Sequence, residues 1–332
     1  MIAPPPVPRK LSVGTAASEA IEIVRARLFP FRLDRWLPLG FVTFLDRCGR
    51  SGGGSTGTSR FTGNDSVLPP GTPSPQEAIA TAQEWIGEHL AVLLAVGAIT
   101  LVVIVTIVAI VLWLNSRGVF MYADNVASGR FDVARPWREH AERAWSYFGW
   151  SFGASLVGFF GAVVLIVPIV VFVVSLISSG ANPGPIIGII GLALLLVVWA
   201  IALKLFSILL RDFAAPLQIV LDVRCGQALG VAWGIVRGNL LTFVIYVLLK
   251  IVFAVVIFIS TLLAGCFTCC LGFLPVVHHT LLQPLYYFER AWSLCLLRQA
   301  GYDPFPAAPP PPAPPDLPPP PAFPPEPLPA TG

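Results

Sequence analysis

Charge is scarce in this sequence, and it is missing in blocks. Only 12% of the residues are charged, against about a quarter in a typical soluble domain. Hydrophobic residues make up 55%, and the mean hydropathy is +0.77. Such a chain cannot hydrate its whole surface, so much of that surface must face lipid. No basic block interleaves with aromatics, and a formal net charge of +3 gives no argument for nucleic acid as a partner. Also missing are the basic start, short apolar run and small-residue cleavage site of a secretory signal. The first spanning helix is therefore expected to act as the insertion signal. No GxSxG or HExxH occurs, no paired carboxylates sit in a hydrophobic stretch, and SGGGSTG lacks the Lys and the strand–helix setting of a phosphate loop. These absences argue against an enzyme and imply no cofactor.

The six cysteines (Cys48, Cys225, Cys266, Cys269, Cys270 and Cys295) do not form a disulfide framework, which belongs to short secreted chains. Cys266-x-x-Cys269-Cys270 followed by His278-His279 has zinc-ligand residue types. Structural zinc sites favour polar loops, however, and the His pair is expected deeper in the bilayer than the turn. The cluster is read as apolar packing or an incidental disulfide at a hairpin tip, with no metal.

What is present is organised by hydrophobic runs. Residues 1–11 are Pro-rich, basic and expected to be disordered. In Ser12–Phe29, Ala16, Ala20, Ile23, Val24 and Leu28 recur at helical steps, and Pro30 ends the helix. It is too polar to span and belongs at an interface or against other helices. Trp36–Leu45 is apolar for only about ten residues, half of the ~20 a span needs. A Gly/Ser/Thr-rich loop occupies residues 50–72. Ser74-Pro75-Gln76-Glu77 has the residues of a capping box, opening one long helix to about Asn115, of which Leu90–Leu114 carries no charge and is the first span. Ser116–Ala144 reads as a polar loop. Trp145–Ser178 is the second span, with Pro168 as a kink and a small-residue face at Gly149, Gly153, Ala154, Gly158 and Ala162. Ile186–Leu210 spans back, Arg211–Asn239 is a polar connection, and Leu240–Ala264 is the fourth span. Phe273–Phe288 is the fifth, continued by a more polar helix to Arg298. The tail, residues 299–332, is mostly proline and is expected to be extended and disordered.

Arginine placement sets the orientation. Arg117, Arg130, Arg135, Arg138 and Arg143 lie in one connection, Arg211, Arg224 and Arg237 in the next, and Arg290 and Arg298 at the end, while the turns at 179–185 and 265–272 have none. The positive-inside rule puts the arginine-bearing segments in the cytoplasm of a cell-membrane protein. Aligning Gly14–Leu28 with Gly226–Leu240 matches seven of fifteen positions, among them Ala16/Ala228, Ala20/Ala232 and Val24/Val236. His140–Trp150 fits less well, through Ala144-Trp145. Ala/Val/Gly-rich helices also match by composition. The alternative is three pseudo-repeats, each a cytoplasmic surface helix feeding a transmembrane hairpin. The fold class is thus an all-α polytopic helical membrane protein of five to six membrane elements. With six, Trp36–Leu45 is the degenerate first arm and both termini are cytoplasmic.

The segments EIVRARLFPFRLDRWLPLGFVTFL and SRGVFMYADNVASGRFDVARPWREH, with the Gly-rich loop between them, resemble an uncharacterised family of prokaryotic polytopic membrane proteins. The triplicated surface-helix pattern is also similar to the membrane domain fused to some glycerophosphodiester phosphodiesterases. Their soluble catalytic barrel has no counterpart here, so the resemblance implies an architecture and no activity.

One ionisable residue stands inside a span. Lys250 lies eleven residues beyond Asn239, roughly 16 Å along a helix, and a lysine at the bilayer centre costs about 2.5–3.5 kcal/mol on insertion scales. The hydrophobic runs hold no Asp or Glu, so Lys250 is expected to lack a carboxylate partner. It either snorkels and bonds carbonyls, or joins His278, His279 and Gln283 in an anion or lipid-headgroup site. Two functions follow. One is a structural or accessory membrane component that binds lipid or protein partners through its surface helices and Pro-rich tail. The other is a transporter or channel-like protein working around Lys250.

Overall fold

A computed structural model describes residues 11–48, 81, 84–85, 87–179, 183–268 and 274–305. The Gly-rich loop 50–72, the Ser74–Glu77 capping box, Cys269, Cys270 and tail residues 306–332 lie outside the described residues. All regular structure among the described residues is helical. The helices are α1 (Val13–Leu28), α2 (Leu33–Arg47), α3 (Leu90–Ser128), α4 (Ala134–Glu139), α5 (Ala141–Ser179) and α6 (Pro183–Ile208), followed by a π-helical turn, Leu209–Ala214. Then come α7 (Ala215–Leu221), α8 (Cys225–Gly238), α9 (Leu240–Phe267), α10 (Pro275–Leu281) and α11 (Gln283–Gln299).

Four helical stretches among the described residues are long and apolar enough to cross a membrane: Leu90–Ser128, Ala141–Ile177, Pro183–Leu221 and Leu240–Cys266. Their most apolar windows are almost wholly unburied by the protein itself. Side chains such as Leu94, Val102, Val164, Ile187 and Leu241 stand exposed, a surface that only lipid satisfies.

The core lies at one end of these helices. The stretch from Asn115 to Ala127 is helical and mostly buried, so the polar loop expected over Ser116–Ala144 is corrected. Its polar side chains misled because they are satisfied internally: Asn125 Nδ2 donates to Asp132 O at 2.8 Å, and Asn115 Nδ2 to Leu45 O at 3.2 Å. Likewise the chain does not leave the helix at Arg211, but runs through the π turn into α7. Of the expected fifth span, Phe273–Phe288, the described part (274–288) is not one helix. Leu282 (φ −90°, ψ 15°) interrupts it with Pro284 following, and α11 is buried along most of its length.

Three buried inner stretches, the ends of α3 and α6–α7 and the length of α11, form the centre. The surface helices dock onto them in a cyclic order. α1 lies on α11, where Trp292 Nε1 donates to Val13 O at 3.1 Å and Arg298 pairs with Glu19 at 2.6 Å. α4 and the start of α5 lie on α3, with the Phe120 ring edge-on to Tyr147 at 5.8 Å and Arg117 donating to Trp137 O at 3.0 Å. α8 lies on the π turn and α7. α1 buries Val13, Ala16, Ala20 and Val24, and α8 buries Cys225, Ala228, Ala232 and Val236, in the same steps of three, four and four residues. Ser12 caps α1 through Thr15 N, and, as expected, the helix stops before Pro30. In the α5–α6 hairpin, Gly149 and Gly153 face open space. The close approach comes further along, where a Cβ on Gly158 would meet Leu203 at 3.0 Å and one on Gly161 would meet Trp199 at 2.5 Å.

Candidate functional site

Lys250 is not without an acidic partner. Its ammonium donates to Asp212 and lies 3.1 Å from Glu289 Oε1, which corrects the expectation that it lacks a carboxylate partner. Both carboxylates come from residues just past the ends of neighbouring hydrophobic runs, so a search within the runs missed them.

The pair belongs to a larger cluster assembled by α2, the π turn, α9 and α11. Arg211 grips Asp46 with two donors, Nε at 3.1 Å and a terminal nitrogen, the fork geometry that makes Arg–carboxylate pairs strong. Its other terminal nitrogen lies 3.4 Å from both Asp212 Oδ1 and Glu289 Oε1. Tyr246 OH donates to Asp212 Oδ2 at 3.0 Å. Arg47 pairs with Glu289 and lies 4.0 Å over the Tyr286 ring. Arg290, fully buried, donates to Arg211 O at 2.8 Å and to Val119 O at 3.0 Å, tying α11 to both other inner stretches, and its guanidinium is 3.9 Å from Asp212.

Two adjacent residues of the π turn serve one cluster. All six residues of this turn are buried on every side, so Arg211 and Asp212 both lie inside, 2% and 1% exposed. Each acid of the cluster also sits beside an arginine in sequence: Asp46-Arg47, Arg211-Asp212 and Glu289-Arg290. These dipeptides, each at the edge of a hydrophobic run, were the available signal. Of these three arginines, the positive-inside rule draws on Arg211 and Arg290 alone and takes no account of the acids beside them.

The four residues singled out from sequence are not in one ligand shell. His278 Nε2 lies 2.9 Å from Tyr286 OH, and His279 stacks on the same ring at 5.3 Å. Through Tyr286, Arg47 and Glu289 the His pair is linked to Lys250 without touching it. Gln283 is held elsewhere, donating to Tyr122 OH at 3.0 Å and accepting from Thr43 at 3.1 Å. Among the described residues no group of three or more His, Cys, Asp or Glu is placed to hold a metal ion. The cluster can do one thing well chemically, which is to neutralise charge. Arg47, Arg211, Lys250 and Arg290 face Asp46, Asp212 and Glu289, and no nucleophile–base pair is among them. An open cavity of about 250 Å³ lies beyond it at the other end of the inner stretches, lined by Ala127, Ile219, Leu294 and Phe305.

The sequence profile of a family described as "Family of unknown function (DUF7544)" matches residues 11–297. No curated protein and no solved structure matches the chain.

Proposed function

The chain belongs to the DUF7544 family, and from that premise we propose that it is a non-catalytic accessory component of the cell membrane, holding lipid or protein partners at its surface helices. The observation that carries this reading is the double carboxylate partnership of Lys250 with Asp212 and Glu289. A lysine so engaged locks α9 to the π turn and α11. It offers a ligand far less than an unpaired ammonium would.

The architecture we infer has three pseudo-repeats and six membrane elements, with α2 as the short first arm and both termini cytoplasmic. The cyclic docking of surface helices, and the equal burial of Ala16, Ala20 and Val24 with Ala228, Ala232 and Val236, support the repeat. This architecture is also what the resemblance to phosphodiesterase-linked membrane domains implies.

A second reading is favoured by one observation: the cluster holds one more cation than carboxylates. An anion or lipid headgroup taken up beside Lys250, with the His278–His279 pair reached through Tyr286, Arg47 and Glu289, would make the chain a transporter or channel. Full-length protein reconstituted in liposomes decides between them. We expect chloride and phosphate fluxes equal to those of empty liposomes. A flux that Lys250→Met abolishes would overturn the accessory reading.

A further inference from the structure

The corner between α1 and α2 exposes large apolar side chains and unpaired arginines together. Phe29, Phe31 and Leu33 are 53%, 54% and 65% exposed, with Leu37 and Phe41 continuing the apolar face along α2. The corner is stiff. Trp36 Nε1 donates to Leu28 O at 3.2 Å, and Phe29 and Phe31 stand edge-on to the buried Trp36 ring at 6.2 and 4.6 Å. Around it, Arg25, Arg32 and Arg35 are exposed, and none of them forms an ion pair among the described residues. Arg35 lies 5.6 Å over the Phe131 ring. Arg27 is committed to the Val126 and Ala127 carbonyls. The exposed carboxylates nearby are Glu22 and Asp34, fewer than the arginines.

Each half of this pattern has a separate physical demand. Exposed phenylalanines lower their free energy by entering the boundary between headgroups and acyl chains, and arginines beside them then meet phosphate. Each such cation near an anionic leaflet contributes attraction that a zwitterionic leaflet does not supply. We propose that the α1–α2 corner is a binding site for anionic phospholipid, in which Arg25, Arg32 and Arg35 hold the headgroup and Phe29, Phe31 and Leu33 enter the acyl region. The assignment rests on the accessory reading for its biological sense, and on the corner alone for its chemistry.

The test uses the full-length protein in a neutral detergent and follows thermal unfolding during titration with phosphatidylglycerol, phosphatidylcholine or inorganic phosphate. Phosphatidylglycerol should raise the transition temperature and phosphatidylcholine should not. The Arg25→Gln/Arg32→Gln/Arg35→Gln variant should unfold near the wild-type temperature without lipid, since it loses no ion pair and only the exposed Arg35–Phe131 contact, and should need about tenfold more phosphatidylglycerol, or more, for the same shift. If that variant is already unstable, Phe29→Ser/Phe31→Ser is the second arm and should lose the shift likewise. An unchanged response in both variants overturns the site. So does an equal response to inorganic phosphate, which would mark an anion site in place of a lipid one. Lys250-dependent flux alongside an intact lipid response would sink the accessory reading and leave the corner standing, so the two failures are separable.

Discussion

Lys250 shows what one residue costs when its partners are removed. Burying an ion pair gains little net stability, because desolvation offsets the attraction. Breaking one side is different: it leaves charge stranded, at about 3–5 kcal/mol. Lys250→Met leaves Asp212 and Glu289 without their ammonium, so a loss of that size is expected in detergent unfolding of the full chain. The double variant Lys250→Met/Asp212→Asn removes one charge of each sign and keeps the net balance of the cluster, and should recover a good part of it. If the single variant were as stable as the parent, the lock would be no lock. The sequence made the lysine legible as costly and depth-placed, because both follow from position along one helix. It did not show the partners, because Asp212 and Glu289 are brought in from two other elements, a fact about packing that spacing within a run does not contain.

At the scale of elements, the four longest hydrophobic runs are legible in the sequence, while the fifth run and the polar segments are not. Length and apolarity decide a span, and the structure has four such helical stretches among its described residues. Ser116–Ala144 has the composition of a connection, yet the end of α3 within it is core, and α11, whose first turns match a fifth span, is core along most of its length. Their polar groups look like loop chemistry in a list and like satisfied core chemistry in place, as with Gln283 between Thr43 and Tyr122. Where these elements touch most closely, a glycine is required. A Cβ on Gly118 would run into the backbone of Leu45 and Asp46, where α2 crosses α3, and one on Gly40 would run into Thr280 of α10. Backbone cannot swing aside as a side-chain tip can. Gly118→Leu should therefore push α2 outward, drag Asp46 from Arg211, and destabilise the fold by about 3 kcal/mol or more, the upper end of overpacking costs. Gly149→Leu, facing open space, is the control and should change stability little; equal effects at the two sites would contradict this packing.

For the whole molecule, the cyclic docking makes a prediction that spacing in sequence does not. α1 begins the described chain and closes the ring by lying on α11, near its end. Cys295 sits buried on α11 with its thiol pushed up to about 12 by that burial, and Cys225 on α8 is pushed up to about 12 for the same reason. A thiol raised from an ordinary 9.0 stays protonated at pH 8. The stability gained by burying it neutral is whole below pH 9 and is lost only as pH climbs towards 12. In a full-length protein whose other four cysteines are replaced by serine, neither thiol should react with maleimide at pH 8 until the chain is denatured. Ala20 is fully buried on α1, so Ala20→Glu places a charge in the contact between α1 and α11 and should lift the helix away. Cys295 should then label while Cys225 remains protected, because α8 rests on a different part of the ring. Labelling of both together would mean that the chain unfolds as one body, and labelling of neither would mean that α1 is not what covers α11.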